Sequence, residues 1–453
     1  MPILHRDLIN YLKKFMPPGL RPYQKKAIDF FSKNNELYLN WDTGCGKTIT
    51  AIHIANEYIH QNPKKRVIVI CPKSILDNFY KEASKYWIKL KKNYQFYTPS
   101  KILSMHKRGE PLNCRNTLII IDEVHNLRTI TSATYNAVFE CVQQSRKRLL
   151  LSATPFVNHY GDLVSQINLL YGREVILPTG NNGGIDAPIG CRRISVSTNN
   201  PRKRKMAMVC IWELMQGKVS FVSKKNNDEF PSCSIKQEYI EMTQEYYNRY
   251  TEEIIDGLGD VFRNPQPFYN GYRRAVNSLG PAYAHIKIQH AISQIESNQT
   301  LIFSNWLKFG VKVLEQELRQ KSIKYGIICG ETPLHTRSEL VTKFNNGDIS
   351  TLIVTRAGNE GLDLKGVKKI IILDPVWNPS KMEQIIGRGV RYRSHHHLPK
   401  EERNVDVHQY LLVEPGYEEG QASISGDVII YGYITQKTHQ LRHTTNLFQS
   451  MSI

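Results

Sequence analysis

The stretch Asn40-Trp-Asp-Thr-Gly-Cys-Gly-Lys-Thr48 follows the apolar run Leu37–Asn40 and precedes a helical pattern over Thr48–His60. A strand that enters a glycine-rich loop and continues into a helix is the setting of a phosphate-binding loop. Gly44 and Gly46 let backbone N–H groups approach phosphate oxygens, and the helix adds the positive end of its dipole. This order of elements predicts an α/β fold with a nucleotide site after its first strand.

Two residues at the end of the loop have the chemistry that a bound nucleoside triphosphate needs. Lys47 can pair with the β- and γ-phosphates, and Thr48 can ligate Mg²⁺. One position departs from the G-x-x-x-x-G-K-[ST] pattern, because Trp41 stands where the first glycine would be. The loop alone therefore predicts nucleotide binding, with ATP and Mg²⁺ as the expected cofactors.

A pair of carboxylates follows a second apolar run, in Ile119-Ile-Ile-Asp-Glu-Val-His125. At the end of a buried strand, Asp122 would hold Mg²⁺ through water. Glu123 would orient and deprotonate the attacking water. A lone Asp-Glu pair is more often a solvated strand end, but the apolar run and the upstream loop favour hydrolysis.

A pair of arginines lies near the other end of the chain, in Gln384-Ile-Ile-Gly-Arg-Gly-Val-Arg391. The spacing predicts that Arg388 and Arg391 lie one helical turn apart. Arginines placed in this way can stabilise the charge that develops when a γ-phosphate is transferred. Taken alone, such a pair is usually a surface feature, and the hypothesis depends on the nucleotide motifs upstream.

Continuous apolar runs separated by helical patterns predict two parallel sheets that are covered by helices on both faces. This alternation fades in the middle of the chain, where Gly183-Gly184 and a basic run at Arg202–Lys205 mark loops. The expected organisation is an N-terminal lobe, a mostly helical insertion, a second lobe and a C-terminal helix. Their predicted ranges are 1–170, 171–285, 286–425 and 426–453.

The charge of the chain favours a polyanionic partner. It has 60 Lys and Arg residues against 41 Asp and Glu, a formal net charge of +19. Such an excess is typical of nucleic-acid binding, with a merely basic surface as the alternative. Among the eight cysteines the C-x-x-C spacing does not occur, which predicts neither a zinc knuckle nor a disulfide framework and favours a reducing compartment. We expect a soluble intracellular protein without a membrane span.

Further motifs occur in an order that resembles the superfamily-2 helicase-type ATPases. The similar segments are Leu20-Arg-Pro-Tyr-Gln24, Cys71-Pro-Lys-Ser-Ile-Leu-Asp-Asn78, Ser152-Ala-Thr154, Ile302-Phe-Ser-Asn305, Thr355-Arg-Ala-Gly-Asn-Glu-Gly-Leu-Asp363 and Gln384–Arg391. The resemblance covers nearly the whole chain. It implies two tandem RecA-like lobes that bind ATP between them and a nucleic-acid-dependent ATPase activity.

The resemblance also implies roles for single residues. Gln24 would read adenine, while Gly361 and Asp363 would lie near the nucleotide and the arginines. Hydrolysis would be coupled to movement by Ser152, Thr154 and Gln384. The residues expected to contact nucleic acid are Lys73, Ser74, Asn305, Thr355 and Arg356.

Within this superfamily, two segments are similar to SWI/SNF-type translocases, namely Asp374-Pro-Val-Trp-Asn-Pro379 and Ser152-Ala-Thr-Pro-Phe-Val-Asn158. The D-E-V-H box and the C-terminal helix resemble ATPases of large DNA viruses, in particular the poxvirus nucleoside triphosphate phosphohydrolase I group. This implies a monomeric translocase on DNA rather than RNA, with possible transcription or replication partners, in the host cytoplasm, the nucleus or the virion. A strand-separating DNA or RNA helicase and a non-catalytic subunit of a transcription complex are the alternatives.

Overall fold

The structure is a computed structural model with two compact units, residues 1–223 with 443–453 and residues 224–442. It describes residues 19–453 apart from eleven gaps, at positions 91, 155–161, 176–208, 225–227, 262–270, 272, 281, 297, 357, 359–361 and 377–378. Side chains are also left undescribed at 74, 77, 255–261, 380, 436–437, 439–445 and 447.

A parallel sheet of six strands forms the centre of the first unit. Its strands are β1 (Glu36–Trp41), β2 (Arg66–Ile70), β3 (Tyr94–Tyr97), β4 (Thr117–Asp122), β5 (Lys147–Ser152) and β6 (Val219–Val222). They lie in the order β3-β2-β4-β5-β1-β6. Every residue of β4 is buried, as expected for a central strand with helices on both faces.

Helices connect or flank these strands in the described part of the first unit, and six of them have defined bounds. They are α1 (Pro22–Lys33), α2 (Lys47–Gln61), α3 (Lys73–Lys85), α4 (Pro99–Lys107), α5 (Ala133–Gln144) and α6 (Asp162–Tyr171). Helix α4 begins where the Thr98 side chain accepts a hydrogen bond from Lys101 N–H, and Ser132 caps α5 in the same way. Because β4, β5 and β1 are neighbours, the loops after their carboxyl ends meet at one edge, where ligands bind in open α/β sheets.

The second unit is built on another parallel sheet of six strands. Its strands are β7 (Ser232–Glu241), β8 (Thr300–Phe303), β9 (Tyr325–Ile328), β10 (Thr351–Val354), β11 (Lys369–Ile372) and β12 (Asn404–Val413), in the order β7-β12-β11-β8-β10-β9. Its helices are α7 (Gln244–Val261), α8 (Ile286–Ser293), α9 (Lys312–Gln320), α10 (Leu334–Asn346) and α11 (Pro379–Gly389). The expectation of two RecA-like parallel-sheet lobes is confirmed.

The structure corrects the predicted insertion over 171–285. Strand β6 joins the first sheet beside β1, and β7 pairs with β12 in the second sheet over ten residues. The compact units therefore divide between Ser223 and Lys224 rather than at a separate helical region. Neither strand was recognisable from the sequence, because β6 has only four residues and β7 carries polar side chains at an edge of its sheet.

A long C-terminal helix, α12 (Gly426–Ser450), begins within the second unit, and its last residues belong to the first. There Phe448 is fully buried, and its ring centroid lies 5.7 Å from that of Tyr38. Ile453 N–H then donates to Val219 O at 2.8 Å, so the end of the chain pairs with the edge strand β6. The predicted C-terminal helix is present, but the predicted boundary at 426 does not separate a domain.

The expectation about cysteines is wrong in one respect, because Cys114 and Cys141 form a disulfide with their Cα atoms 5.2 Å apart. Cys210 is also disulfide-bonded. A spacing of 27 residues between a loop and a helix carries no recognisable sequence pattern, so only the fold reveals the first pair. Within the described residues, the structure contains no helix long and apolar enough to cross a membrane.

Candidate active site

The glycine-rich loop after β1 has the backbone that a phosphate-binding loop requires. Gly44 and Gly46 adopt φ values of 83° and 84°, in the left-handed region that favours glycine. A Cβ atom on Gly46 would lie 2.6 Å from Gln24 Nε2, so the close packing of this turn also requires glycine. Gly46 forms the N-terminal boundary of α2, whose first N–H groups are available to an anion.

Lys47 is held against its own loop in this structure. Its Nζ donates to Trp41 O at 2.6 Å and to Asp42 O at 3.3 Å. The carbonyl of Trp41, at the position where the sequence pattern lacks its first glycine, therefore binds the lysine that would bind phosphate. A bound nucleotide would have to replace these two carbonyls with phosphate oxygens, which are stronger acceptors for an ammonium group.

Residues from the start of α1 contact the same loop. Gln24 Nε2 donates to Gly46 O at 3.3 Å, and Gln24 Oε1 accepts from Arg21 N–H at 2.8 Å. The Tyr23 hydroxyl donates to Cys45 O at 2.9 Å. The structure thus brings Gln24 to the phosphate loop.

Asp122 and Glu123 follow β4 at the adjacent strand end. Burial and the neighbouring charge of Glu123 raise the pKa of Asp122 to about 7, while Lys47 and the Glu123 N–H act in the opposite direction. That N–H donates to Asp122 Oδ1 at 2.9 Å. Glu123 has a φ of 52°, which is strained for a residue with a side chain and is often found at functional sites.

A chain of close polar contacts links Glu123 to the segment after β5. His125 Nδ1 lies 3.3 Å from Glu123 Oε2 and 3.0 Å from Ser152 Oγ. Ser152 Oγ donates its single proton to Thr154 O at 2.9 Å and accepts from Thr154 N–H at 3.1 Å. The imidazole of His125 is buried between these two groups.

The residues of the first unit fit ATP and Mg²⁺. Thr48 and Asp122 supply the hydroxyl and carboxylate oxygens that Mg²⁺ prefers, and a divalent cation offsets the burial that disfavours the ionised form of Asp122. When bound, Mg²⁺ would neutralise negative charge on the phosphates. Glu123, anchored by His125, is the carboxylate that can orient and deprotonate a water molecule.

In the second unit, the two predicted arginines have different local structures. Arg388 lies in the last turn of α11, which ends at Gly389, so Arg391 follows the helix rather than lying on it. The prediction that both lie on one helix is thus wrong, because the chain leaves the helix after the second glycine of Gly387-Arg-Gly389. Arg391 Nη1 lies 3.4 Å from Asp363 Oδ1 and donates to Leu362 O, which joins two predicted site residues.

The residues predicted to contact nucleic acid are anchored to different degrees. Asn305 N–H donates to Asp374 Oδ2 at 2.6 Å, and the buried Ser304 hydroxyl donates to the same oxygen at 2.7 Å. Thr355 is buried, and its hydroxyl accepts from Gly358 N–H at 3.3 Å. Arg356 is exposed.

For two other predicted residues, the structure gives the position along the chain and the exposure. Lys73 is exposed at the first turn of α3, and Gln384 is half-buried on α11. Gly361 and the side chain of Ser74 lie outside the described residues.

Sequence reasoning missed three residues that organise these sites. Tyr23 holds the Cys45 carbonyl, His125 joins Glu123 to Ser152, and Asp374 holds the segment of Asn305. The first two belong to motifs that the sequence shows, at Leu20–Gln24 and in the D-E-V-H box, so their positions beside the predicted residues were the available signal. The only sequence feature that could have identified Asp374 is the Asp-Pro-Val-Trp-Asn-Pro motif to which it belongs.

Comparison with protein-family models identifies three matching segments. Residues 21–162 match the DEAD/DEAH box helicase model, and residues 98–256 match the SNF2-related domain. Residues 284–393 match the helicase conserved C-terminal domain. The matched segments include the phosphate loop, the carboxylate pair and both arginines.

Individual relatives are similar over most of the chain. A protein of Acanthamoeba polyphaga mimivirus, L538, provisionally named as an ATP-dependent RNA helicase, is 29% identical over 87% of this chain and 89% of its own length. The nucleoside triphosphatase I of Melanoplus sanguinipes entomopoxvirus is 25% identical over 86% of this chain and 72% of its own length.

Among solved structures, the Sulfolobus solfataricus SWI2/SNF2 ATPase core in complex with dsDNA is 20% identical, with a TM-score of 0.41. The match covers 88% of this chain and 89% of the Sulfolobus chain. The matched domains, in the order in which they occur, are those of superfamily-2 helicase-type ATPases with an SNF2-related domain, and with the similar relatives they identify a nucleic-acid-dependent ATPase.

Proposed function

We propose that this chain couples ATP hydrolysis to translocation along double-stranded DNA. The observation that carries the proposal is the chain of polar contacts from Glu123 through His125 to Ser152 and Thr154, in which the links from His125 onwards are hydrogen bonds. It connects the carboxylate that activates water to the segment after β5. A change at the nucleotide site can therefore alter the position of a neighbouring segment, which is what a motor requires.

Double-stranded DNA is proposed because residues 98–256 match an SNF2-related domain, and the net charge of +19 favours a polyanion. We assign the phosphate contacts to Lys73, Ser74, Asn305, Thr355 and Arg356. Such contacts dominate affinity and make binding strongly dependent on salt. Arg388 and Arg391 are proposed as the cations that stabilise the transition state, with Gln384 and Gly361 acting in the same motifs.

A second candidate is strand separation of DNA or RNA. It is favoured by the name of the mimivirus relative, which refers to an RNA helicase. A non-catalytic subunit of a transcription complex is the third candidate, and the intact arrangement of Lys47, Asp122 and Glu123 argues against it. Because several similar proteins come from large DNA viruses, we infer a viral origin and a monomer that serves transcription or replication.

Steady-state ATPase assays with matched nucleotide concentrations of double-stranded DNA, single-stranded DNA and RNA test the proposal. We expect the largest stimulation with double-stranded DNA, falling steeply as salt rises. Stimulation by RNA alone would favour the second candidate. Background turnover with every polymer would favour the third.

A further inference from the structure

The end of helix α3 has an unusual residue at a position that normally needs glycine. Trp87 N–H donates to Ser84 O at 3.1 Å, and Ile88 N–H donates to Ala83 O at 2.9 Å. These two bonds define a Schellman C-terminus, in which the residue after the cap adopts the left-handed conformation. Trp87 has a φ of 57°, a conformation that its Cβ disfavours.

Four other helix ends also have a left-handed residue at this position, but there the residue is small. The residues in the equivalent position after α4, α6 and α10 are Gly109, Gly172 and Gly347, and after α9 it is Ser322. Among these described helix ends, a large side chain occurs only at Trp87. Because the Trp87 residue is 68% exposed, packing against the protein does not offset the strain. A strained, exposed tryptophan indicates a function outside the fold of the first unit.

The surroundings of Trp87 combine aromatic and basic side chains. Residues 80–92 contain five lysines and one glutamate, and Glu82 is paired with Lys85 at 2.8 Å. Tyr80 is 49% exposed, and its ring centroid lies 5.2 Å from that of Phe96 on the edge strand β3. We name as the Trp87 patch the exposed residues Tyr80, Lys81, Lys85, Trp87, Lys89 and Lys92.

The patch is distinct from the predicted contact at Lys73. Lys73 begins α3 at the carboxyl end of β2, whereas Trp87 follows the other end of the helix, fourteen residues later. At 1.5 Å per residue, the two ends are separated by about 20 Å. The patch therefore lies at the amino-end edge of the parallel strands, opposite the edge that carries the phosphate loop.

We propose that the Trp87 patch binds an unpaired strand of nucleic acid, by stacking the indole on a base and pairing the lysines with phosphates. A flat exposed aromatic ring surrounded by ammonium groups is the chemistry that single strands recognise without sequence preference. The excess of positive charge in the patch is complementary to phosphate. This inference rests on the proposed function, because it assumes that the chain works on nucleic acid.

Binding of a fluorescein-labelled oligothymidylate of 20 nucleotides, followed by fluorescence anisotropy, tests the proposal with the full chain. Trp87→Gly should raise the Kd about tenfold, at the lower end of what one stacked base contributes. Its Tm should not fall, because glycine relieves the left-handed strain. Trp87→Phe, which keeps a stacking ring, should recover most of the affinity.

Ser322→Gly is the matched control, since it makes the same change at an equivalent helix end in the second unit. Its Kd should equal that of the wild type. An unchanged Kd for Trp87→Gly, or a lower Tm in that variant, would overturn the proposal. The proposal would also be overturned if Trp87→Gly weakened the binding of poly-glutamate as much as the binding of oligothymidylate, because the patch would then suit an acidic protein.

The two proposals can fail separately. If the wild type binds duplex DNA but not oligothymidylate, the patch proposal is wrong and the proposed function survives. If the wild type binds neither polymer, both are wrong.

Discussion

In the first unit the motif side chains contact one another through a buried histidine, whereas in the second unit they also depend on a buried carboxylate and a backbone carbonyl. Glu123, His125 and Ser152 form one chain of polar contacts beside the phosphate loop. Asn305 instead depends on the buried Asp374, and Arg391 is held by Asp363 and a backbone carbonyl. The difference suggests that the first unit carries the chemistry and the second presents groups whose positions its core determines.

The strongest test of this contrast removes the chemistry from the first unit. Lys47→Ala and Glu123→Gln should each lower nucleic-acid-stimulated ATP hydrolysis by at least about a hundredfold, because one removes a phosphate ligand and the other the carboxylate that activates water. The measurement is steady-state phosphate release. Lys64→Ala, at an exposed lysine of the same unit, should hydrolyse ATP like the wild type. Full activity of either site variant would refute the assigned site.

In the second unit, a comparably large effect is expected on the free energy of unfolding. Lys287 and Asp427 form an ion pair of 2.7 Å with both side chains fully buried. Asp427→Asn should lower the free energy of unfolding by about 3–5 kcal/mol, because it leaves the lysine charge buried without a counter-ion. Denaturant unfolding measures this. Breaking the exposed pair Glu339–Lys343 with Lys343→Ala should change little, and equal effects of the two variants would contradict the contrast.

A smaller effect is expected when the chain of polar contacts in the first unit is interrupted at His125, without removing the catalytic groups. His125→Ala should reduce stimulation of the ATPase by nucleic acid about tenfold, an effect of about 1.4 kcal/mol on the coupled step, while nucleotide affinity stays within twofold. Titration of a fluorescent ATP analogue and ATPase assays with and without DNA separate the two quantities. His106→Ala, at an exposed histidine, is the control. Equal losses of basal and stimulated rates would assign His125 to catalysis rather than coupling.

The smallest predicted effect concerns Glu36 at the start of β1. Burial alone would raise the pKa of Glu36, but hydrogen bonds and charges from Lys218 and Arg148 outweigh it and lower the pKa. A lowered pKa stabilises the fold above the pKa of the unfolded chain, and this stability is lost as the pH falls through the folded value. Glu36→Gln should therefore cost about 1 kcal/mol at pH 7, and the difference from the wild type should shrink towards pH 4. Urea unfolding at both pH values decides this, and a constant difference would contradict the assignment.

The sequence predicted the first unit better than the second, for a physical reason. Strands such as Thr117–Asp122 are buried throughout, with four consecutive apolar residues at the centre, because both faces are covered, and the loops after them carry recognisable chemistry. By contrast, Ser232–Glu241 is an edge strand whose polar side chains hide its pairing with β12. The sequence also showed no sign of the Cys114–Cys141 disulfide, which depends on how a loop meets a helix.

The candidate site shows the same division. Lys47, Asp122 and Glu123 were predictable because their chemistry requires fixed residue types next to fixed elements. The contacts that hold them were not, since the bond from Lys47 to Trp41 O and that from His125 to Ser152 depend on side-chain packing. Arg391 lies beyond the end of α11, which the helical pattern of the sequence did not indicate.

The central claim is that ATP hydrolysis moves this chain along double-stranded DNA, and displacement of a labelled third strand from a DNA triplex tests it most directly. The account predicts ATP-dependent release of the third strand by the wild type, with the underlying duplex left intact, and no release by Glu123→Gln. Robust DNA-stimulated ATP hydrolysis without release of the third strand would contradict translocation. Separation of the duplex strands would identify a helicase instead.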